Sequence, residues 1–161
     1  MGGVYGKNVV WAGEVELGRV KIGERVLVAG GGAVGCEVAN FLAERGKNVT
    51  IVEMLDTVGL DMDSWIWACL SAELVKRSVK ILKSTKIEEV TNEGVMLVDR
   101  TWNRTYLKAD TVVLALGLKA SNALAGELAG RVREVYTIGD AKLPRRVQEA
   151  IFDGFRTAYQ L

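Results

Sequence analysis

The pattern of apolar and polar positions predicts alternating strands and helices in the first part of the chain. Arg25 to Ala29 is a short apolar run, rich in β-branched residues, that stops at three consecutive glycines. Such a run is typical of a buried strand that enters a tight turn. From Ala33 to Arg45 the apolar residues recur at helical spacing, and Gly46 follows as a stop signal. Asn48 to Glu53 is a second buried strand, so these segments predict one β-α-β unit with parallel strands.

A second helix is predicted to follow this unit. Asp61 or Asp63 can cap it, and its apolar pattern runs to about Arg77. Trp65 and Trp67 stand two residues apart on this helix, and a rotation of about 100° per residue places them on nearly opposite faces. We expect one of them in the core and the other half-covered at the surface. The alternative is that one of them belongs to an interface with something outside this chain.

The second half of the chain is predicted to complete the sheet and to carry an insertion. Val79 to Leu82 is a third strand, and Ile87 to Lys108 contains short strand-like stretches separated by turn residues, as in an antiparallel meander. Thr111 to Leu116 is the most apolar strand, Glu134 to Ile138 is a short one, and a last helix runs from about Pro144 to Tyr159. The predicted fold class is α/β: a Rossmann-type parallel sheet flanked by helices, with an antiparallel β-meander insertion.

Composition and charge narrow the range of functions. The 161 residues include 21 Lys plus Arg and 20 Asp plus Glu, and the net charge of +1 gives no basic surface for nucleic acid. The chain has no His, so it can supply neither a Ser-His-Asp triad nor a His-containing zinc site. Cys36 and Cys69 lack cluster spacing, which argues against iron–sulfur ligation and a disulfide framework, and no metal-binding residue is assigned.

The cellular setting is predicted from what the chain does not contain. No apolar run approaches the roughly 18 residues of a membrane span, and the first residues lack the apolar region of a signal peptide. Two isolated cysteines are typical of reduced thiols inside the cell. We therefore expect a cytoplasmic protein without a membrane partner.

Candidate chemistry lies at the turn between the first strand and the first helix. The motif Gly30-x-Gly32-x-x-Gly35 occupies this turn, and Glu53 ends the next strand. In this context the first glycine permits the tight turn, the second lets the backbone approach a pyrophosphate, and the third lets the helix pack close to the strand. The helix N-terminus offers unpaired N–H groups to phosphates. Glu53 is placed to accept hydrogen bonds from the hydroxyls of an adenosine ribose.

The motif predicts a nucleotide site more firmly than it predicts the ligand. The same strand-glycine-helix arrangement also serves nucleotide-sugar enzymes and methyltransferases. Among nicotinamide cofactors NADH is favoured over NADPH, because a 2′-phosphate would meet the charge of Glu53 and residues 54–56 provide no Arg. The candidate cofactor-binding residues of this motif are Gly30, Gly31, Gly32, Ala33, Val34, Gly35 and Glu53.

The run Val26 to Glu53 resembles the pyridine-nucleotide-binding domain of flavoproteins with two dinucleotide-binding domains. Three separated stretches look most like the C-terminal part of the 2-enoate reductase and 2,4-dienoyl-CoA reductase group. They are Gly35 to Ala39, the segment ALGLKASNAL, and the closing segment EVYTIGDAKLPRRVQEAIFDGF. The members of this group are multidomain NADH:flavin oxidoreductases related to old yellow enzyme. The resemblance runs from about Asn8 to the end of the chain.

This resemblance implies further site residues. Gly117 matches the glycine that borders the nicotinamide side. Glu37 matches an acid that lies near the nicotinamide and flavin. The alternative interpretation is that Glu37 is an exposed residue in the first turn of its helix, where the helix dipole stabilises a negative charge. Gly139 and Asp140 match a motif whose Asp binds the ribityl chain of FAD, and their alternative interpretation is a turn and a helix cap. Ala120 replaces the Pro that the family has after the apolar strand.

The resemblance also implies that the sequence represents part of a larger enzyme. The glycine fingerprint that begins the FAD domain of the family, and the reductase barrel before it, are not in this sequence. We expect residues 1–24 to be a linker and first segment left from the FAD domain, 25–128 the NADH-binding domain, and 129–161 the returning segment of an FAD-type domain. The expected partners are the remaining domains of the parent flavoenzyme. Formation of a homodimer is an alternative that the sequence does not decide.

The expected function is that of an NADH-binding module in a flavin-dependent oxidoreductase. In the intact enzyme it would deliver hydride from NADH to FAD, whereas this chain alone would bind NADH without turnover and without retaining FAD. No catalytic residue is assigned. One alternative is a self-sufficient nicotinamide-dependent dehydrogenase, which the absence of His and of a Tyr-x-x-x-Lys motif weakens. The other is a stand-alone nucleotide-binding or sensing module.

The end of the chain carries a separate structural expectation. With no FAD-domain sheet to join, Glu134 to Ile138 is expected to add in parallel to the sheet edge beside Thr111 to Leu116. The last helix is then expected to pack Val147, Ile151 and Phe155 against the same sheet, which would give one compact domain.

Overall fold

The chain divides into two compact units, Met1–Leu116 and Gly117–Leu161. Within them the computed structural model describes residues 2–3 and 6–161. The strands in chain order are β1 (Val9–Trp11), β2 (Arg25–Ala29), β3 (Asn48–Val52), β4 (Lys80–Leu82), β5 (Thr85–Val90), β6 (Gly94–Asp99), β7 (Arg104–Lys108) and β8 (Thr111–Leu114). The helices are α1 (Ala12–Glu16), α2 (Ala33–Glu44), α3 (Ser64–Lys76), α4 (Ala123–Leu128) and α5 (Val147–Gln160).

A parallel sheet forms the centre of the first unit. In the described part of the chain it has the strand order β1-β8-β2-β3-β4, and every pairing is parallel. The strands β5, β6 and β7 form a separate antiparallel sheet. The predicted α/β class, with its antiparallel meander, is confirmed.

Both faces of the inner strands β8, β2 and β3 are buried, as their continuous apolar runs predict. Residues 26–29 of β2 are at most 2% exposed. Because side chains alternate along a strand, Val26 and Val28 join a hydrophobic cluster with residues of α2 and α3. Leu27 and Ala29 join a second cluster with residues of β5 and β6. The helices and the meander therefore cover opposite faces and hold the carboxyl ends of the strands in place.

The two tryptophans of α3 differ in burial. Trp67 is half-buried and packs against the cluster that contains Val26, whereas Trp65 is 69% exposed. Neither tryptophan is fully in the core as expected: Trp67 is half-covered against the core cluster, and Trp65 is more exposed than expected. Asp63 takes the N-cap position of α3, and Asp61 lies against a different helix, as described below.

The expected strand at Glu134 to Ile138 is wrong. These residues, all within the described part, are assigned to neither strand nor helix. The edge of β8 that they were expected to join is occupied by β1, with Val10 in register with Val113. The segment before residue 25, expected as a linker and first segment left from the FAD domain, contains β1, which pairs with β8 of the central sheet.

The second unit contains α4, a 3₁₀ turn at Gly139–Ala141, and α5. The last helix begins at Val147, three residues later than the sequence pattern predicts. The expectation that Val147, Ile151 and Phe155 are buried is wrong, because each is at least 66% exposed. Across residues 2–3 and 6–161, no helix has both the length and the apolar character needed to cross a membrane.

Leu74 provides a test of how α3 is held to the sheet. Its side chain is fully buried, while the adjacent Val75 is 77% exposed. We expect Leu74→Ala to lower the free energy of unfolding by about 2–5 kcal/mol through lost contacts and a residual cavity. Val75→Ala should change it by less than about 0.5 kcal/mol. Urea denaturation of both variants is the measurement, and equal losses would contradict this packing.

Candidate functional site

The glycine turn lies at the carboxyl end of β2 and requires glycine at two positions. Gly30 has φ +107°, in the region that L residues rarely adopt, and a Cβ atom there would lie 2.4 Å from the carbonyl oxygen of Ala115. A Cβ atom on Gly35 would lie 2.0 Å from the carbonyl oxygen of Gly30. Helix α2 therefore approaches β2 more closely than any side chain would allow.

The carboxylate of Glu53 holds this turn from the end of β3. Its Oε2 accepts a hydrogen bond from the N–H of Gly31 at 2.7 Å, and its Oε1 accepts one from the N–H of Leu55 at 2.8 Å. Gly31 is buried, and a Cβ atom there would lie 2.5 Å from Cγ1 of Val58. Each carboxylate oxygen can accept a second hydrogen bond. Glu53 can thus support the turn and still receive a ligand hydroxyl.

The N-terminus of α2 points its first N–H at an aspartate. Gly32 is the N-cap residue and has no side chain to cap the helix. Oδ1 of Asp61 accepts a hydrogen bond from the N–H of Ala33 at 2.8 Å. The two carboxylate oxygens of Asp61 lie 3.2 and 3.3 Å from the position of a Cβ atom on Gly32. Val34, in the first turn of α2, is 50% exposed.

Sequence reasoning missed this role of Asp61, which the helical pattern assigned to capping α3. The contact joins residues 28 positions apart, and it depends on the path of the loop between β3 and α3. We refer to Met54–Asp63 as the 54–63 loop. The only local signal was an acidic residue within that loop, and this does not indicate which backbone group it will contact.

A cleft of about 390 Å³ opens beside the turn. Its lining includes Gly30, Gly32, Glu53 and Leu116, so it brings together predicted residues from the ends of two strands. Lys86 of β5 also lines it and was not anticipated from the sequence. The carboxyl ends of parallel strands are where open α/β sheets bind ligands.

Two groups near the turn have raised pKa values. Glu37 is exposed, and desolvation by its neighbours, assisted by the carboxylates of Glu16 and Asp61, raises the pKa of its carboxyl. Burial raises the pKa of the Cys36 thiol to about 12, and Asp61, Glu37 and Glu53 add to the shift. The Cys36 thiol is fully buried and donates to the carbonyl oxygen of Gly31 at 3.4 Å. The surroundings of the turn are thus acidic.

The remaining predicted residues lie in the second unit. Gly117 has φ +86°, with no atom near the position of a Cβ. Gly139 is buried with φ +56°, and its N–H donates to Oδ2 of Asp153 at 3.3 Å. Asp140 is exposed, and its Oδ1 accepts a hydrogen bond from the N–H of Arg145 at 3.4 Å. Their parts in cofactor binding stay predictions.

The chain belongs to the pyridine nucleotide-disulphide oxidoreductase family, whose model matches residues 4–154. This confirms, at the level of the family, the resemblance carried by the three sequence stretches. The chain is therefore an oxidoreductase-type domain of the class that binds NAD(P) and FAD.

Individual relatives agree with this assignment. The chain is 34% identical to an NADH oxidase of Thermoanaerobacter brockii, in an alignment that covers 95% of the chain and 24% of the relative. It is 30% identical to a cinnamate reductase of Clostridium sporogenes, covering 96% of the chain and 24% of the relative. A solved structure of 2-naphthoyl-CoA reductase superimposes with a TM-score of 0.92 at 29% identity, covering 100% of this chain and 24% of that one. The chain spans about a quarter of the length of these relatives.

The two cysteines should differ sharply in reactivity. The nucleophile is the thiolate, and the Cys36 pKa of about 12 leaves it protonated at pH 8, inside a closed core. Cys69 is exposed. We expect an aromatic disulfide reagent to label one thiol per folded chain at pH 8 and two in denaturant. Cys69→Ser should abolish the native labelling, and rapid labelling of Cys36 in the folded variant would contradict the burial of this thiol.

Proposed function

We propose that this chain is the NADH-binding module of a flavin-dependent oxidoreductase of the 2-enoate reductase and 2,4-dienoyl-CoA reductase type. The observation that carries the proposal is the glycine turn of β2, which Glu53 holds from the end of β3 through the N–H of Gly31. Membership of the family supports a dinucleotide as the ligand. The two relatives named for NADH oxidation and cinnamate reduction support the narrower assignment.

The residues of the turn fit a dinucleotide. At Gly32 the backbone carries no side chain, so a pyrophosphate can approach it, and the first N–H groups of α2 are suited to phosphate oxygens. The remaining lone pairs of Glu53 suit the ribose hydroxyls. The cleft beside the turn extends to Leu116, at the end of the segment that follows β8. Gly30, Gly31, Gly32, Ala33, Val34 and Gly35 would line the phosphates and the adjoining ribose.

Preference for NADH over NADPH depends on a balance of charges. The carboxylate of Glu53 would repel a 2′-phosphate and loses a hydrogen-bonding partner when the 2′-hydroxyl is replaced. Lys86 lines the same cleft and acts in the opposite direction. We expect the Glu53 carboxylate to have the larger effect on cofactor preference, because it is hydrogen-bonded to the turn whereas Lys86 is an exposed and solvated side chain.

In the intact enzyme FAD would accept the hydride that NADH supplies. Asp140, with Gly139, would hold the ribityl chain, Glu37 would lie near the two rings, and Gly117 would border the nicotinamide side. The partners would be the remaining domains of the parent protein, in the cytoplasm. A module that only senses nucleotides is the second candidate, which the exposed Trp65 favours as a contact for another protein.

The first test of this proposal is cofactor preference. We expect calorimetry to show that NADH binds about tenfold more tightly than NADPH, which corresponds to about 1.4 kcal/mol for one unfavourable charge contact. Glu53→Ala should reduce the difference in affinity between NADH and NADPH. Equal or tighter binding of NADPH by the unaltered chain would contradict the role assigned to Glu53.

A pair of glycine variants provides the control. Gly32→Val should abolish binding of both cofactors, because the added methyl groups fill the space that a pyrophosphate needs. A Cβ atom on Gly126, in α4, has no atom within 4 Å. Gly126→Val should therefore leave binding unchanged.

The second test concerns flavin. We expect the purified chain to be colourless and to oxidise NADH at no appreciable rate, because a second glycine fingerprint, of the kind that holds the adenosine half of FAD, does not occur among these 161 residues. Visible absorption spectroscopy and NADH consumption are the measurements. A yellow preparation with stoichiometric flavin would contradict the claim, and Asp140→Ala would then show whether this residue holds it.

A further inference from the structure

A carboxylate of the chain itself lies where the proposed ligand's phosphates would bind. The N–H of Ala33 is the first donor of α2 and has no acceptor within the helix. Oδ1 of Asp61 accepts its hydrogen bond at 2.8 Å. Both oxygens of Asp61 also lie over Gly32, at the face that the missing side chain leaves open. A carboxylate at this position is stabilised by the same N–H groups and dipole that would stabilise a phosphate.

The 54–63 loop brings Asp61 to this position. Within it, the N–H of Gly59 donates to the carbonyl oxygen of Gly31 at 2.7 Å. Gly59 has φ +71°, and a Cβ atom there would lie 2.5 Å from the ring of Trp67. The loop is thus anchored to the glycine turn on one side and to α3 on the other. Asp61 itself is exposed, so its side chain can rotate into solvent without disturbing these anchors.

The charges around the turn increase the importance of this contact. Glu37 and Glu53 lie near the same turn, and the influence of Asp61 on the pKa values of Glu37 and Cys36 shows that its field reaches them. A pyrophosphate brought into this acidic surrounding would meet repulsion, and the nearest of the charges to Gly32 and Ala33 is that of Asp61.

We propose that Asp61 is a built-in competitor of the dinucleotide's pyrophosphate, which must displace this carboxylate from the N-terminus of α2 in order to bind. The inference rests on the proposed function, since it names a determinant of affinity in the same site. Asp61 sets how tightly the ligand is held and takes no part in chemistry.

The test compares two variants that remove one negative charge each from the 54–63 loop. Asp61→Asn keeps the shape of the side chain and removes the charge at the helix N-terminus. Asp63→Asn is the matched control, because Asn caps helices about as well as Asp and Asp63 is the N-cap of α3. Each variant and the unaltered chain are titrated calorimetrically with NADH and with adenosine, which has no phosphate. Thermal unfolding verifies that each variant is folded.

We expect Asp61→Asn to bind NADH about fivefold more tightly, as befits the loss of one competing charge at a helix terminus. Its affinity for adenosine should stay the same, and Asp63→Asn should change the affinity for NADH less than about twofold. If Asp61 had a merely structural role, Asp61→Asn would lower the affinity for both NADH and adenosine, or change neither affinity.

Three results would overturn the inference. Unchanged or weaker NADH binding by Asp61→Asn, with binding by the unaltered chain intact, would show that Asp61 is no competitor and would leave the proposed function standing. Equal tightening by both variants would show a general effect of charge. If neither the unaltered chain nor any variant binds NADH, the proposed function is wrong, and the role of Asp61 as a competitor is wrong as well.

Discussion

The close approach of α2 to the end of β2 determines the backbone path of the glycine turn on which the first unit's part of the candidate site depends. A Cβ atom on Gly35 would come within 2.0 Å of the carbonyl oxygen of Gly30, so the contact exists only because residue 35 is glycine. It places the first N–H groups of α2 beside the carboxyl ends of β2 and β3. Glu53 can then accept a hydrogen bond from the N–H of Gly31. The backbone of the turn is therefore flanked by the carboxylates of Glu53 and Asp61.

Much of this core could be predicted from sequence because its signals are local. The apolar run of β2, the helical spacing of α2 and the glycines between them each specify one conformation within a few residues. The same is true of the meander, where the turn residues separate short β-rich stretches. Glu53 could be placed as well, because the end of a parallel strand next to β2 must lie at the same edge of the sheet.

Other features depend on contacts that no local pattern encodes. The strand Val9–Trp11 has three residues, too few to show a period, yet it takes the edge of β8 expected for residues 134–138. Those residues are apolar enough to suggest a strand, but a strand needs an open edge to pair with. Asp61 contacts Ala33, 28 positions away in the chain, because of the path of the 54–63 loop, and no local sequence pattern predicts that path.

The central claim is that a dinucleotide lies over the N-terminus of α2, and NMR can test it directly. Amide resonances of an isotopically labelled chain would be followed while NADH is added, because hydrogen bonds from Gly32 and Ala33 to a ligand, and from a ligand hydroxyl to Glu53, would alter the chemical shifts of the turn. The account predicts that the largest saturable changes fall on residues 30–35 and at Glu53. Changes confined to other parts of the chain, with the resonances of the glycine turn unmoved, would contradict it.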